Sequence, residues 1–150
     1  MEMHLLLRDI LQVERRLTRD TIVAMADGDM AFRPTPGQMS FGDQALHIIS
    51  AQETLQQALQ NGEWDWDRGI DSRSFPTQEA ILSRFDDLNA REVAYYGGLQ
   101  ADDLQRTVHT AWGPPEPILK LLVSFLAHEA HHRGQMVAYL RLKGMTPPAY

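Results

Sequence analysis

Apolar residues recur three or four positions apart in four long stretches of the chain, with charged and amide side chains between them. That period is the signature of an amphipathic α-helix. In the first stretch, from Met3 to about Ala26, the line Met3, Leu6, Ile10, Val13, Leu17 and Ala24 predicts the buried face, and Asp27-Gly28-Asp29 stops the helix. A proline-glycine loop, Arg33-Pro34-Thr35-Pro36-Gly37, follows. The second helix begins near Ser40, a good N-cap, with Asp43 placed to complete the cap. Its stripe is Phe41, Ala45, Ile48, Leu55 and Leu59, and Asn61-Gly62 ends it.

From Glu63 to Phe75 no period is visible, and Trp64 and Trp66 stand among acidic residues, which reads as a loop pinned by its aromatics. The third helix starts after Pro76 with Thr77 as N-cap, continues through Ile81, Phe85, Leu88 and Val93, and stops at Gly97-Gly98. Residues 101–117 form another long loop, in which Val108-His109-Thr110-Ala111-Trp112 allows a short extended piece. The fourth helix runs from about Pro117 to Lys143, with Ile118, Leu122, Phe125, His132, Met136 and Tyr139 as its core line. Four helices of this length with few strand signals predict an all-α fold, a four-helix bundle with long loops between helices 1 and 2, 2 and 3, and 3 and 4. The 150 residues suit one domain spanning 1–150.

Composition narrows the function classes. The apolar fraction of 43% is that of a folded globular chain. A net charge of −6 argues against electrostatic binding of nucleic acid, so no nucleic-acid partner is expected. With no cysteine, disulfides, zinc fingers and a cysteine nucleophile are excluded, and any metal must be held by His, Asp or Glu. No stretch approaches the ~20 apolar residues of a membrane span. The N-terminal segment carries Glu2, His4, Arg8 and Asp9 in place of an apolar signal core, so no membrane association and a cytoplasmic location are expected.

The chemistry concentrates in the fourth helix, at His128-Glu129-Ala130-His131-His132. Side chains four apart on a helix stand on one face with Cβ atoms about 5–6 Å apart. His128 and His132 can therefore share one ion at bond lengths of about 2.0–2.1 Å. His131 points about 100° away. The string also matches the H-E-x-x-H of zinc peptidases. The two common peptidase patterns need a further ligand downstream, however, and no His, Asp or Glu follows His132. The third ligand must come from upstream, where His4, His47 and His109 are the candidates. His47 is preferred: it stands at the edge of the second helix's apolar stripe, with Ala51 and Ala58 leaving space beside it. Ser124, Ala127, Gly134 and Ala138 share the face of His131. Such small side chains admit a second helix closely, as a packing seam or a homodimer contact. Arg133 is read as an ion-pair partner at that seam, and Glu129 as a solvated or interhelical carboxylate. Gln135 is placed to orient a ligand or bond to one.

Ser40-Phe41-Gly42-Asp43-Gln44-Ala45-Leu46-His47, followed some eighty residues later by His128-Glu129-Ala130-His131-His132-Arg133-Gly134-Gln135, resembles the DinB-like superfamily of metal-binding four-helix bundles. The resemblance implies His47, His128 and His132 as ligands of a divalent metal ion, zinc or nickel, between which imidazole ligands do not choose. Three neutral ligands leave open positions and uncompensated charge, which lower the pKa of a bound water or thiol. Hydrolysis, or activation of a small thiol for transfer to or isomerisation of an electrophilic substrate, would follow. The resemblance favours the thiol, since relatives include bacillithiol- and mycothiol-dependent transferases and isomerases. A non-enzymatic metal-stabilised or stress-response binding protein is the remaining class. Homodimerisation is expected from the small-residue face. Trp64, Trp66 and Trp112 are expected at helix ends, as loop packing or as walls of a substrate pocket.

Overall fold

The computed structural model describes residues 3–65 and 75–149. Four helices form where the apolar period runs: α1 (Met3–Ala24), α2 (Phe41–Asn61), α3 (Gln78–Gly98) and α4 (Ile118–Leu142). The expected capping box is present at α2. The Asp43 N–H donates to Ser40 Oγ at 3.1 Å, and the Ser40 N–H donates to Asp43 Oδ2 at 3.2 Å. Gly62 ends α2 with a left-handed φ of 79°, which glycine adopts without steric cost. Thr77 Oγ1 caps α3 by accepting from the Ala80 N–H. The extended piece of the α3–α4 loop is a two-stranded antiparallel pair, β1 (Thr107–Val108) with β2 (Glu116–Pro117). Trp66 and most of the preceding linker lie outside the described residues.

The main helix contacts are α2 with α4, α1 with α3, α1 with α4 and α2 with α3. The order around the bundle is therefore α1, α3, α2, α4, and chain neighbours α1 and α2 face each other across a diagonal. Two apolar clusters fix the helix directions. One gathers Ile22, Phe41, Ile48, Phe85 and Met136; the other gathers Leu7, Leu59, Tyr96, Ile118 and Leu122. Helices α1 and α4 run from the second cluster towards the first, and α2 and α3 run the other way. The end of α2 and the start of α3 thus stand at opposite ends of the bundle.

Between the clusters lies a buried polar layer to which every helix contributes: Arg15 and Thr18 from α1, Gln52 from α2, Glu92 from α3, and Glu129 and Arg133 from α4. The Arg15 guanidinium meets Glu92 through Nε at 2.6 Å and Nη2 at 3.0 Å, and donates through Nη1 to Glu129. Glu129 also accepts from Thr18 Oγ1 at 2.6 Å and Gln52 Nε2 at 3.3 Å. Arg133 bonds to Thr18 Oγ1 and to Glu14. Burial pushes the Glu92 carboxyl up, against the downward pull of Arg15.

This layer explains where α1 departs from the expected face. Met3, Ile10 and Val13 are exposed, and the buried line is Leu7, Leu11, Arg15, Thr18 and Ile22. On α3, likewise, Val93 is exposed and its neighbour Glu92 is buried. In both helices a charged residue takes the inward position because the other helices supply its counter-charge.

Candidate metal centre

His47 on α2 and His128 and His132 on α4 stand across the α2–α4 seam, level with the polar layer. Each is half-buried, and one ring nitrogen from each can be chosen so that all three lie within 4.8 Å of one another. Ring centroids are 4.9 Å apart for His47 and His128, and 4.5 Å for each of the other two pairs. The Nε2 atoms of His47 and His128 approach to 3.0 Å. The α4 spacing and the entry of His47 from α2 are thus as expected. His109, which is exposed, and His4, in the first turn of α1, are not part of the cluster.

The donor set fits a divalent ion. Burial lowers the pKa of His47, and burial with the nearby His47 and His131 lowers that of His128. Burial, then His128, His47 and His131, bring His132 down to about 4. All three rings are therefore neutral at pH 7, as ligation requires. The Nδ1 atom of His128 is buried with no hydrogen-bond partner among the described residues.

His132 is held from behind. Its Nδ1 lies 2.6 Å from Oε1 of Gln44, a residue 1% exposed, and Gln44 Nε2 donates to Gln135 Oε1 at 2.6 Å. Gln135 Nε2 in turn lies 2.8 Å from Nε2 of exposed His131. Gln135 reaches the ligand candidate His132 only through Gln44, and bonds to none of the three histidines directly. Gln44 was not singled out, although its spacing of three before His47 puts both on one helix face.

Glu129 takes the interhelical of its two expected places, fully buried and committed to Arg15, Thr18 and Gln52, whereas two expectations about the seam change. Arg133 pairs inward with Glu14 and is 4% exposed, so it does not reach a subunit seam. Ser124, Ala127, His131, Gly134 and Ala138 are all exposed, which excludes a packing seam within the bundle. On the side of His128 an aromatic series leads outward. Phe125 lies 5.9 Å from His128, Trp64 lies 5.2 Å from Phe125, and Trp112, half-exposed, lies 4.9 Å from Trp64. Backbone bonds from Trp64 N–H to His109 O and from His109 N–H to Gly62 O fasten the two loops that carry these tryptophans.

The sequence pattern of the DinB superfamily matches residues 10–136. No curated protein matches the chain. Among solved structures, a DinB-like protein from Bacillus cereus aligns with a TM-score of 0.78 at 23% identity, covering 94% of this chain and 95% of its own. A DinB-like protein from Bacillus subtilis aligns with a TM-score of 0.80 at 18% identity, covering 96% and 95%. YfiT from Bacillus subtilis, described as a probable metal-dependent hydrolase with an unusual four-helix bundle topology, aligns with a TM-score of 0.70 at 13% identity, covering 94% and 87%. At these identities the likeness is one of fold.

Proposed function

The chain belongs to the DinB superfamily, and on that premise we propose that it is a metal-dependent enzyme that activates a low-molecular-weight thiol for transfer to an electrophilic substrate. The convergence of His47, His128 and His132 within 4.8 Å carries this reading. Zinc and nickel both suit three imidazoles. An ion held there would lower the pKa of a thiol or water coordinated beside the ligands. A structural zinc site usually closes all four positions with protein ligands. The cluster among the described residues supplies three, which supports an enzyme over a metal-stabilised binding protein.

The chain's own contribution is to keep three neutral nitrogens together and to offer an apolar wall, Phe125 and Trp64, beside His128. In the transfer, the thiol proton passes to solvent, a carbon–sulfur bond forms, and the bond to the leaving group breaks with its electron pair. Having no cysteine, the chain needs the sulfur from a cosubstrate of the bacillithiol or mycothiol kind. Glu129, next to His128 in sequence, is held by Arg15, Thr18 and Gln52 and is not available as a general base. That favours a nucleophile that ionises readily, such as a thiol of pKa about 8.5, over water. The fold likeness to YfiT supports metal-dependent hydrolysis as the second reading.

Zinc- or nickel-reconstituted protein should hold about one ion per chain and His132→Ala far less; equal contents would remove the metal reading. Bacillithiol, mycothiol, glutathione and coenzyme A, each with 1-chloro-2,4-dinitrobenzene or monochlorobimane, should reveal thiol-dependent turnover in the loaded protein only. Turnover of an ester and amide panel without thiol, and none with it, would favour hydrolysis.

A further inference from the structure

We infer that Gln44 is a positioning residue that holds His132 as its Nδ1–H tautomer, and that Gln135 extends this choice to His131. The inference rests on the metal reading above in one respect, the nitrogen left free for an ion. A neutral imidazole has one donor and one acceptor nitrogen. With Gln44 Oε1 at 2.6 Å, His132 Nδ1 is the donor, and Nε2 keeps the lone pair.

The orientation of the Gln44 amide decides the matter. Were it reversed, its NH2 would face Nδ1, and the ring would carry its proton on Nε2, where it blocks ligation. A reversal of Gln44 alone is opposed by its other contact, since Gln44 Nε2 donates to Gln135 Oε1 at 2.6 Å, and Gln135 Nε2 in turn lies 2.8 Å from His131 Nε2, to which it donates when that nitrogen carries the lone pair. The four groups form one chain with a single sense: His132 to Gln44, Gln44 to Gln135, Gln135 to His131. The chain has only one other self-consistent sense, with both amides flipped and both histidines in the Nε2–H form. The tautomers of buried-side His132 and exposed His131 are therefore coupled. Ligation through Nε2 of His132 selects the first sense and leaves His131 as its Nδ1–H form. The burial of Gln44, at 1% exposed, keeps water from competing for either end of its amide.

The test is long-range 1H–15N NMR of the chelator-treated full chain, labelled at histidine, at pH 8, with zinc affinity measured by competition against a chromophoric chelator. In the wild type, His132 should appear as Nδ1–H, and zinc should leave His131 in a single Nδ1–H form. Gln44→Leu should move His132 towards Nε2–H and weaken zinc by about 10–100-fold. Gln44→Glu, whose carboxylate can only accept, should restore both the tautomer and the affinity. Gln135→Leu should free the His131 tautomer from the effect of zinc. An Nε2–H signal for His132 in the wild type would overturn the inference, as would a folded Gln44→Leu with unchanged tautomer and affinity. Should Gln44→Leu fail to fold, a Gln44→Glu spectrum differing from the wild type at His132 overturns it equally. A wild type that shows Nδ1–H but takes up no zinc supports the tautomer assignment and defeats only the metal reading.

Discussion

Replacing Arg15 with methionine should cost about 3–5 kcal/mol of stability at pH 8, the usual penalty for removing one partner of a buried ion pair. The structure supplies the reasons. Arg15 is 4% exposed, and it is the cation in direct contact with both Glu92 and Glu129, themselves 1% and 0% exposed. Methionine fills much of the space but leaves two desolvated carboxylates facing each other. For a domain of this size, about 2–4 °C per kcal/mol converts the loss to a fall in melting temperature of roughly 6–20 °C. The pH dependence is the sharper test. Burial already raises the Glu92 pKa, and Arg15 is the largest influence pulling it back. In the variant, the folded-state pKa of Glu92 loses that opposing pull and rises further above the unfolded value of about 4.3. A group raised in the folded state contributes stability that is present below the unfolded pKa and is lost as pH rises through the folded one. The deficit relative to wild type should therefore be small near pH 4.5 and grow towards pH 8. Circular-dichroism melts of both proteins at several pH values read this directly. A deficit that is the same at pH 5 and pH 8, or a melting temperature within about 2 °C of wild type at pH 8, would refute the reasoning. Replacing Arg15, Glu92 and Glu129 together by apolar residues should regain stability relative to the single variant, because no charge is then left to be desolvated.

The remaining predictions concern the histidines, a helix cap and assembly. In metal-free protein, the folded-state pKa of His132 near 4 lies below the unfolded value of about 6.5. Its contribution is then full above pH 6.5 and is lost as pH falls towards 4, so melting temperature should drop more steeply across that window in wild type than in His132→Gln; parallel curves would contradict this. Ser40→Ala removes the side chain that accepts from the Asp43 N–H and should cost about 0.5–2 kcal/mol in urea unfolding, without altering metal content. The exposed face of Ser124, Ala127, His131, Gly134 and Ala138 is proposed to meet a second copy of the chain, and light scattering should give twice the chain mass. A monomer at tens of micromolar would count against it.

Much of the architecture was legible because it depends on local pattern. The cap at Ser40, the left-handed stop at Gly62 and the stripe Phe41, Ala45, Ile48, Leu55, Leu59 all involve residues within a turn or two of one another. His128 and His132 were legible for the same reason, and His47 through its place in a recognisable block. The polar layer was not. Arg15 and Glu92 sit inside because of each other, 77 positions apart, and a rule that buries apolar residues puts Met3, Val13 and Val93 in their stead. A signal existed in the gaps: each core line is broken once near mid-helix, at Arg15 and Thr18, at Gln52, at Glu92, and at Glu129 and Arg133. Gln44 escaped notice because its partner His132 lies 88 positions away.

The polar layer also acts as a key for alignment. Apolar helices packed along their length can slide past one another with little change in what touches what. Here a slip of α1 by one turn, about 5.4 Å, would set Leu11 against two carboxylates or carry Arg15 among leucines. Such charges are matched only when all four helices stand at one height, and that height also brings His47 level with His128 and His132. The layer that sets the helix register therefore also sets the height at which the histidine cluster forms.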